Sequence, residues 1–328
     1  MTTDTLEDQL TKYLTDVHSI EQQALAQMKA APKLAENDPE LARAFSEHLR
    51  ETEQHEALVR GRLEARGAKP AVVKDLAGTL TGKGFVAFAA SQPDTPGKLA
   101  AHAYSYEHME EAAYKLLGRL AEEQGDAEVA RVADQIEGQE HAMGERIERL
   151  FEQAAAGALR ELGPDDLGEQ LNKYLADAHA IEEQAIRLLK KGSELAGDPE
   201  LASAYTEHLA ETEEHAQLVA QRLEQRGGQP SRLKDAALQL GALNWGAFFA
   251  AQPDTPAKLA AFAYAFEHLE IAAYELLSRV AQRAGDAETV QLASRILEQE
   301  RAAAALVESL LPRALDASLR DQGLPVAR

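Results

Sequence analysis

A short polar segment at residues 51–55, which reads ETEQH, places metal-competent side chains where a helix is expected to bury its apolar face. Around it, inward positions recur at alternating steps of four and three residues, the spacing of a helix packed in a bundle. These positions are Leu41, Phe45, His48, Thr52, His55 and Val59. Because apolar residues lie at both ends of this stripe, we predict that its histidines point inward, with Glu51 at the edge of the same face.

The same pattern returns 160 positions later, from residue 51 to residue 211. Its inward positions are Leu201, Tyr205, His208, Thr212, His215 and Val219, and Glu211 stands where Glu51 stood. The repeat predicts one fold used twice, with a first domain over residues 1–157 and a second over residues 158–328. A chain of 328 residues is long enough for two such cores.

The charge of the chain is strongly acidic, with 55 Asp and Glu against 34 Lys and Arg and a net charge of −21. Binding to nucleic acid or to anionic membranes needs clustered Lys and Arg, so the composition disfavours both. It suits the attraction of small cations, although a solvated acidic surface also explains it.

The chain contains no cysteine, which excludes disulfides, thiolate metal sites, iron–sulfur clusters and cysteine nucleophiles. No P-loop, dinucleotide glycine fingerprint or G-x-S-x-G elbow is present. No run approaches the roughly 20 apolar residues that span a bilayer. We therefore expect a soluble, cytoplasmic protein.

The elements that must position the polar residues are four helices in each copy. The start signals are Asp-Pro or Asp-Thr-Pro, and glycines mark the ends. In the first copy these signals predict helices over residues 5–29, 38–67 and 95–125, and a fourth from Asp126 onward. Each apolar stripe carries a carboxylate or histidine near its middle. We predict an irregular crossover over residues 68–94 and a partly helical tail from Pro312. Aromatic residues of the crossover and its repeat are predicted to cap a bundle end: Phe85, Phe88, Trp245, Phe248 and Phe249.

Four such helices would bury about five carboxylates, each at a cost of several kcal/mol if unpaired, against a total domain stability of roughly 5–15 kcal/mol. Protons, basic side chains or divalent cations could neutralise them, and the stripes offer no inward Lys or Arg. Two divalent cations would suit this carboxylate and imidazole set, with iron, manganese or zinc as candidates. The alternative is a water-filled, hydrogen-bonded polar layer without metal.

The arrangement resembles the ferritin-like superfamily, and in particular rubrerythrin-type bundles and small stress-associated bacterial proteins of that superfamily. The resemblance covers nearly the whole chain, once per copy. It is carried by a glutamate on the first helix, a Glu/His pair on the second, a Glu-x-x-Glu motif on the third and a glutamate on the fourth. These residues are Glu21, Glu51, His55, Glu107, Glu110 and Glu140, with Glu182, Glu211, His215, Glu267, Glu270 and Glu300 in the second copy.

The resemblance implies a role for each of these residues. Glu21 and Glu107 would be terminal or bridging carboxylates, and Glu51 and Glu140 would bridge two metals. Glu110 would be an extra carboxylate ligand. His55 would be a terminal imidazole.

The sequence departs from the superfamily pattern in two places. His55 follows Glu51 by four residues rather than three, and Met143 stands where a histidine is expected after Glu140. Glu137 and His141 offer a substitute pair, which the second copy replaces with Leu297 and Arg301. We therefore expect the second site to be the weaker.

Other polar residues near the stripes have less defined predicted roles. His48 is a further candidate ligand, and His18 and His179 are candidates for orienting a ligand or for the surface. We expect His108 and His268 to be exposed or at an interface. Tyr106 and Tyr114 are expected to pack in the core, where a tyrosine could also relay electrons.

The resemblance implies a di-iron protein that reacts with ferrous iron and oxygen or peroxide, in stress protection or iron handling. Without cysteines, turnover would need an external reductant. The alternative is a non-catalytic helical stress or scaffold protein with a degenerate metal site, and cage-forming iron storage is a third possibility. The fused pair predicts a monomer that acts as a pseudo-dimer, or a small homo-oligomer.

Overall fold

The computed structural model describes residues 5–70, 94–229 and 254–326, and all regular secondary structure in these ranges is α-helical. The chain forms two compact units, one comprising Met1–Ala158 with Gly323–Arg328 and the other Leu159–Gln322. No helix in the described ranges is both long and apolar enough to cross a membrane.

Within its described residues, the first unit is a four-helix bundle with two short additional helices. Its helices are α1 (Leu6–Met28), α2 (Ala31–Leu34), α3 (Pro39–Ala65), α4 (Thr95–Gln124), α5 (Ala127–Arg149) and α6 (Phe151–Ala158). Helix α1 packs against α3 and α4, and α5 packs against the same two helices, which closes a ring of four. Each long helix therefore turns one stripe toward a shared core.

The second unit repeats this ring. Its helices are α7 (Leu167–Leu195), α8 (Pro199–Gln225), α9 (Thr255–Arg283) and α10 (Ala287–Asp321). Helix α7 packs against α8 and α9, and α10 packs against the same pair. The predicted all-α fold of two tandem helical bundles is thus confirmed.

Local sequence signals set the helix ends. The Asp126 side chain accepts a hydrogen bond from the backbone N–H of Val129 at 3.0 Å and so caps the start of α5. Gly125, just before it, has φ of +83°, a conformation that costs glycine little, and it ends α4. The same Gly-Asp turn recurs as Gly285 (φ +71°) and Asp286 between α9 and α10.

Three features lie outside the sequence predictions. Helices α2 and α6 were not anticipated, nor was the unbroken course of α10 through Pro312, whereas its end at Asp321 agrees with the predicted partly helical tail. The predicted crossover falls largely outside the described residues. So do its aromatic residues and their repeats, namely Phe85, Phe88, Trp245, Phe248 and Phe249.

Candidate metal centre

All four long helices of the first unit deliver a polar side chain to the middle of the core. Their inward stripes are mostly apolar, so the bundle that buries Leu14, Phe45, Leu117 and Ile136 buries these groups as well. Each polar residue is no more than 1% exposed. They are Glu21 on α1, His48 and His55 on α3, Glu107 and Glu110 on α4, and Glu140 on α5.

These side chains form two groups that could each hold a metal ion. In the four-ligand group, atoms of His48, Glu107, Glu110 and Glu140 lie within 4.8 Å of one another. In the three-ligand group, atoms of Glu21, His55 and Glu140 do so. Because Glu140 belongs to both groups and has two carboxylate oxygens, it is placed to bridge two ions.

The two imidazoles contact the carboxylates directly. His48 Nε2 lies 2.9 Å from Glu107 Oε2 and 3.4 Å from Glu140 Oε2. His55 Nδ1 lies 2.8 Å from Glu140 Oε1 and 4.0 Å from Glu21 Oε1. The ring nitrogens that a metal would use thus face the carboxylates.

The groups behind this cluster hold it in place. His48 Nδ1 hydrogen-bonds Glu51 Oε2 at 3.1 Å, and His55 Nε2 hydrogen-bonds Gln139 Oε1 at 3.2 Å. The Tyr114 hydroxyl donates to Glu21 Oε1 at 2.5 Å. Tyr114 is therefore part of the site's support as well as of the apolar core.

Burial raises the pKa of three of the four clustered carboxyls. The pKa of Glu21 rises to about 8, because the group is desolvated and lies near the negative charge of Glu140. Burial raises the pKa of Glu107 to about 7, against the opposing effect of His48. Desolvation and neighbouring carboxylates raise the pKa of Glu110 well above its ordinary value.

The histidines and the bridging carboxylate are shifted toward their charged forms. Burial opposes a positive charge on His48, but the carboxylates of Glu107 and Glu140 outweigh it and raise the pKa of His48 well above 6.5. The Glu140 hydrogen bond and charge likewise outweigh burial and raise the pKa of His55. Burial opposes ionisation of Glu140, yet the two histidines hold its pKa below 4.5. Without metal, protons therefore neutralise most of the cluster.

Glu110 differs from Glu107 and Glu140 in having no ion pair with a histidine in the described chain, whereas Glu107 lies 2.9 Å from His48 Nε2 and Glu140 lies 2.8 Å from His55 Nδ1. Neither oxygen of Glu110 has a hydrogen-bond partner among the described residues. Its counterpart Glu270 is in the same state. A buried polar group without partners is costly, whether ionised or neutral.

The second unit reproduces the site. Its two groups are His208, Glu267, Glu270 and Glu300, and Glu182, His215 and Glu300. His208 Nε2 lies 3.0 Å from Glu267 Oε2, and His215 Nδ1 lies 2.8 Å from Glu300 Oε1. The Tyr274 hydroxyl donates to Glu182.

The charge pattern is also reproduced. Burial opposes a charge on His208, but Glu267 and Glu300 outweigh it and raise its pKa to about 12. Burial opposes ionisation of Glu300, yet hydrogen bonds from His208 and His215 lower its pKa to about 2. In both copies, the carboxylate that the two groups share thus lies ionised between two histidines.

Glu51 and Glu211 lie elsewhere than the predicted bridging position. Their side chains are 41% and 48% exposed, and each contacts the outer nitrogen of a histidine instead of the carboxylate cluster. His48 and His208 occupy the inner positions. The remaining predicted ligands are brought together in both copies, as Glu21, His55, Glu107, Glu110 and Glu140, and as Glu182, His215, Glu267, Glu270 and Glu300.

The substitute pair on α5 lies outside both groups. His141 is 53% exposed on its side chain and lies 3.3 Å from Glu111, and Glu137 Oε1 lies 3.7 Å from Lys115. The second copy's changes at these positions therefore leave its own site intact, which removes the reason for expecting a weaker second site.

Three further histidines are buried away from the groups. His18 is buried and contacts Glu56 Oε1 at 3.1 Å. His108 and His268 are 5% and 7% exposed, so the expectation that they are exposed was wrong. In the first copy, His108 Nδ1 contacts Glu111 Oε2 at 2.7 Å.

Glu111 is a buried residue that the sequence reasoning missed. Lys115 Nζ contacts its Oε1 at 2.7 Å. The sequence did contain a signal for this ion pair, because a histidine three residues before Glu111 and a lysine four residues after it share its helix face.

A family model described as a domain of unknown function (DUF892) matches residues 5–160 and again residues 166–320. The two matches agree with the internal repeat. No solved structure matches the chain.

Proposed function

The chain belongs to the DUF892 family, a domain family of unknown function, and from the geometry of its buried clusters we propose that each copy binds two divalent metal ions. In the first copy, one ion would be held by His48, Glu107, Glu110 and Glu140. The other would be held by Glu21, His55 and Glu140. The ligand set consists of oxygen and imidazole nitrogen, which suits iron, manganese and zinc, and we propose iron.

The observation that carries this proposal is the state of Glu110 and Glu270. The histidine–glutamate contacts could stabilise the rest of the cluster without metal, but these two carboxyls have neither a hydrogen-bond partner nor an ion pair with a histidine in the described chain. A cation bound in the four-ligand group would contact them and remove the cost of burying them. Their recurrence in both copies makes a local accident of packing a poor explanation.

We further propose that this is a ferritin-like centre that handles iron together with oxygen or peroxide. A bound pair of ferrous ions would supply the electrons that reduce the oxidant. The chain holds the ligands in a dry core, orients Glu21 through Tyr114, and keeps His48 and His55 turned toward the carboxylates. With no cysteine in the chain, electrons for repeated turnover would come from another molecule.

A second candidate is a metal-free helical scaffold, and one observation favours it. His48 with Glu107, and His55 with Glu140, already form buried ion pairs. If these pairs suffice, the cluster is a structural polar layer. Glu110 argues against this reading, because the layer leaves it unsatisfied.

The test is the number of metal ions bound per chain after anaerobic loading with ferrous iron, followed by absorbance on adding oxygen or peroxide. We expect about four tightly bound ions and a new near-ultraviolet absorption. The matched control carries Glu140→Ala and Glu300→Ala, which remove the residue shared by both groups of each copy. Failure of wild type to bind iron, manganese or zinc would establish the scaffold.

A further inference from the structure

Each inner histidine of the candidate metal centre has a defined partner on its outer nitrogen. His48 Nδ1 contacts Glu51 Oε2 at 3.1 Å, and His208 Nδ1 contacts Glu211 Oε2 at the same distance. An ionised carboxylate can only accept a hydrogen bond, so the histidine Nδ1 must be the donor. This leaves Nε2 as the nitrogen that faces the cluster.

We propose that Glu51 and Glu211 are positioning residues, which fix the ring orientation of His48 and His208 so that Nε2 presents its lone pair to a bound metal ion. The inference rests on the proposed function. A ligating histidine with a hydrogen-bond acceptor on its other nitrogen is held in one tautomer and becomes a stronger donor to the metal. The half-exposed carboxylates therefore act on the metal through the histidines, without touching it.

The placement of these carboxylates supports this role. Glu51 and Glu211 follow their histidines by three residues on the same helix, so the contact needs no other element. The histidines are buried at the core end of each contact, while the glutamates are 41% and 48% exposed on their side chains. The same arrangement occurs in both copies.

His55 and His215 show that the hydrogen-bond acceptor on a histidine's outer nitrogen can be uncharged. His55 Nε2 contacts Gln139 Oε1 at 3.2 Å, and His215 Nε2 contacts Gln299 Oε1 at 3.1 Å. An amide oxygen thus serves as the outer acceptor in this same site. Glutamine at positions 51 and 211 would preserve such an acceptor, whereas alanine would remove it.

The experiment measures zinc affinity and stoichiometry of the full chain by competition with a chromophoric chelator. One variant carries Glu51→Ala with Glu211→Ala, and a second carries Glu51→Gln with Glu211→Gln. The control carries Glu47→Ala, which removes an exposed carboxylate of the same helix that pairs with Arg146. The control separates loss of the histidine contact from loss of negative charge.

We expect the alanine pair to bind zinc about 10–100-fold more weakly with unchanged stoichiometry. The glutamine pair should recover most of this affinity, and the Glu47 control should bind as wild type does. Cobalt substituted for zinc should show an altered visible spectrum in the alanine pair alone.

Three results would overturn the inference. If the alanine pair binds as wild type does, the histidines need no outer acceptor. If the glutamine and alanine pairs both lose stoichiometric binding, Glu51 and Glu211 are direct ligands. If wild-type chain binds no zinc, iron or manganese, the proposed function fails and this inference fails with it.

Discussion

Two adjacent glutamates on α4 show how surroundings decide what a buried carboxylate does. Glu110 has no hydrogen-bond partner in the described chain, and burial raises its pKa well above the ordinary value. Glu111 is equally buried, but contacts with His108 and Lys115 outweigh burial and lower its pKa to about 2. Glu110 is thus suited to bind a metal ion, whereas Glu111 is suited to stabilise the fold.

This contrast predicts opposite effects of two neighbouring substitutions. Glu110→Gln should leave the unfolding free energy of the metal-free chain nearly unchanged, because an amide resembles a protonated carboxyl, while metal affinity falls steeply. Glu111→Gln should lower the unfolding free energy by about 1–3 kcal/mol, because it removes the buried carboxylate that both His108 and Lys115 contact. Denaturant unfolding and metal titration of both variants check this. Equal effects of the two on either measurement would contradict it.

The protonated carboxyls also predict how the stability of the metal-free chain depends on pH. Glu21 and Glu107 have a pKa of about 8 and about 7 when folded, against 4.5 ordinarily, so the folded state holds their protons more tightly. Both groups then oppose folding increasingly as pH rises from about 4.5 to about 8. His48 acts in the same direction, since its raised pKa gives a stabilisation that is lost as pH rises through the folded value.

We therefore expect the Tm of the chelator-treated chain to fall between about pH 5 and about pH 8.5, and saturating metal to reduce this fall because metal replaces the protons. Thermal unfolding at stepped pH, with and without metal, measures it. Glu21→Gln should flatten the metal-free curve. A metal-free Tm that is constant or rises across this range would show that the carboxyls do not hold their protons.

At the scale of the helices, local signals predict the boundaries and periodicity predicts the inward face, whereas neither assigns a metal-binding role to a side chain. Asp-Pro and Gly-Asp signals act within a few residues, so the starts at Pro39 and Thr95 could be predicted. Periodicity placed His48 on the inward stripe of α3 and Glu51 at its edge, and the structure has them so. The bridging role of Glu51 came from the resemblance, and the structure gives the inner position to His48 instead.

The aspartates of the two Gly-Asp turns are predicted to contribute unequally to the free energy of unfolding. Asp126 caps α5 and pairs with Arg66 at 2.5 Å, whereas Asp286 caps α10 and contacts both Arg222 and Arg226. Asp126→Ala should cost about 1 kcal/mol of unfolding free energy through the lost cap, and Asp286→Ala more, because it removes two arginine contacts instead of one.

Denaturant unfolding of both variants measures this difference. Asn at either position should retain the cap and recover part of the loss. Metal loading should not change, since Asp286 lies 14 residues from Glu300 on the same helix, about 21 Å along its axis. Equal losses for the two alanine variants would show that the arginine contacts add nothing.

At the scale of the whole molecule, the two copies differ beside the site and agree within it. Beside its site, the first copy has a cluster of His108, Glu111, Lys115 and His141. In the second copy, Ile271 stands in place of Glu111, and Arg301 pairs with Glu275 at 2.7 Å. The first copy thus has a charged, partly buried network where the second copy has a buried isoleucine and an ion pair. The six clustered residues of each metal centre are the same types in both copies.

This agreement predicts that both copies load metal to the same extent. Glu140→Ala should abolish binding in the first copy and leave the second intact, because Glu140 is shared by both of the first copy's groups. Glu300→Ala should do the converse, so each variant should retain half of the wild-type metal. Elemental analysis after desalting measures this, with Glu137→Ala as a matched control on the same helix as Glu140 but outside both groups. If Glu140→Ala removes nearly all the metal while Glu300→Ala removes little, the second copy is a structural remnant despite its intact residues, and differences beyond the ligands must control loading.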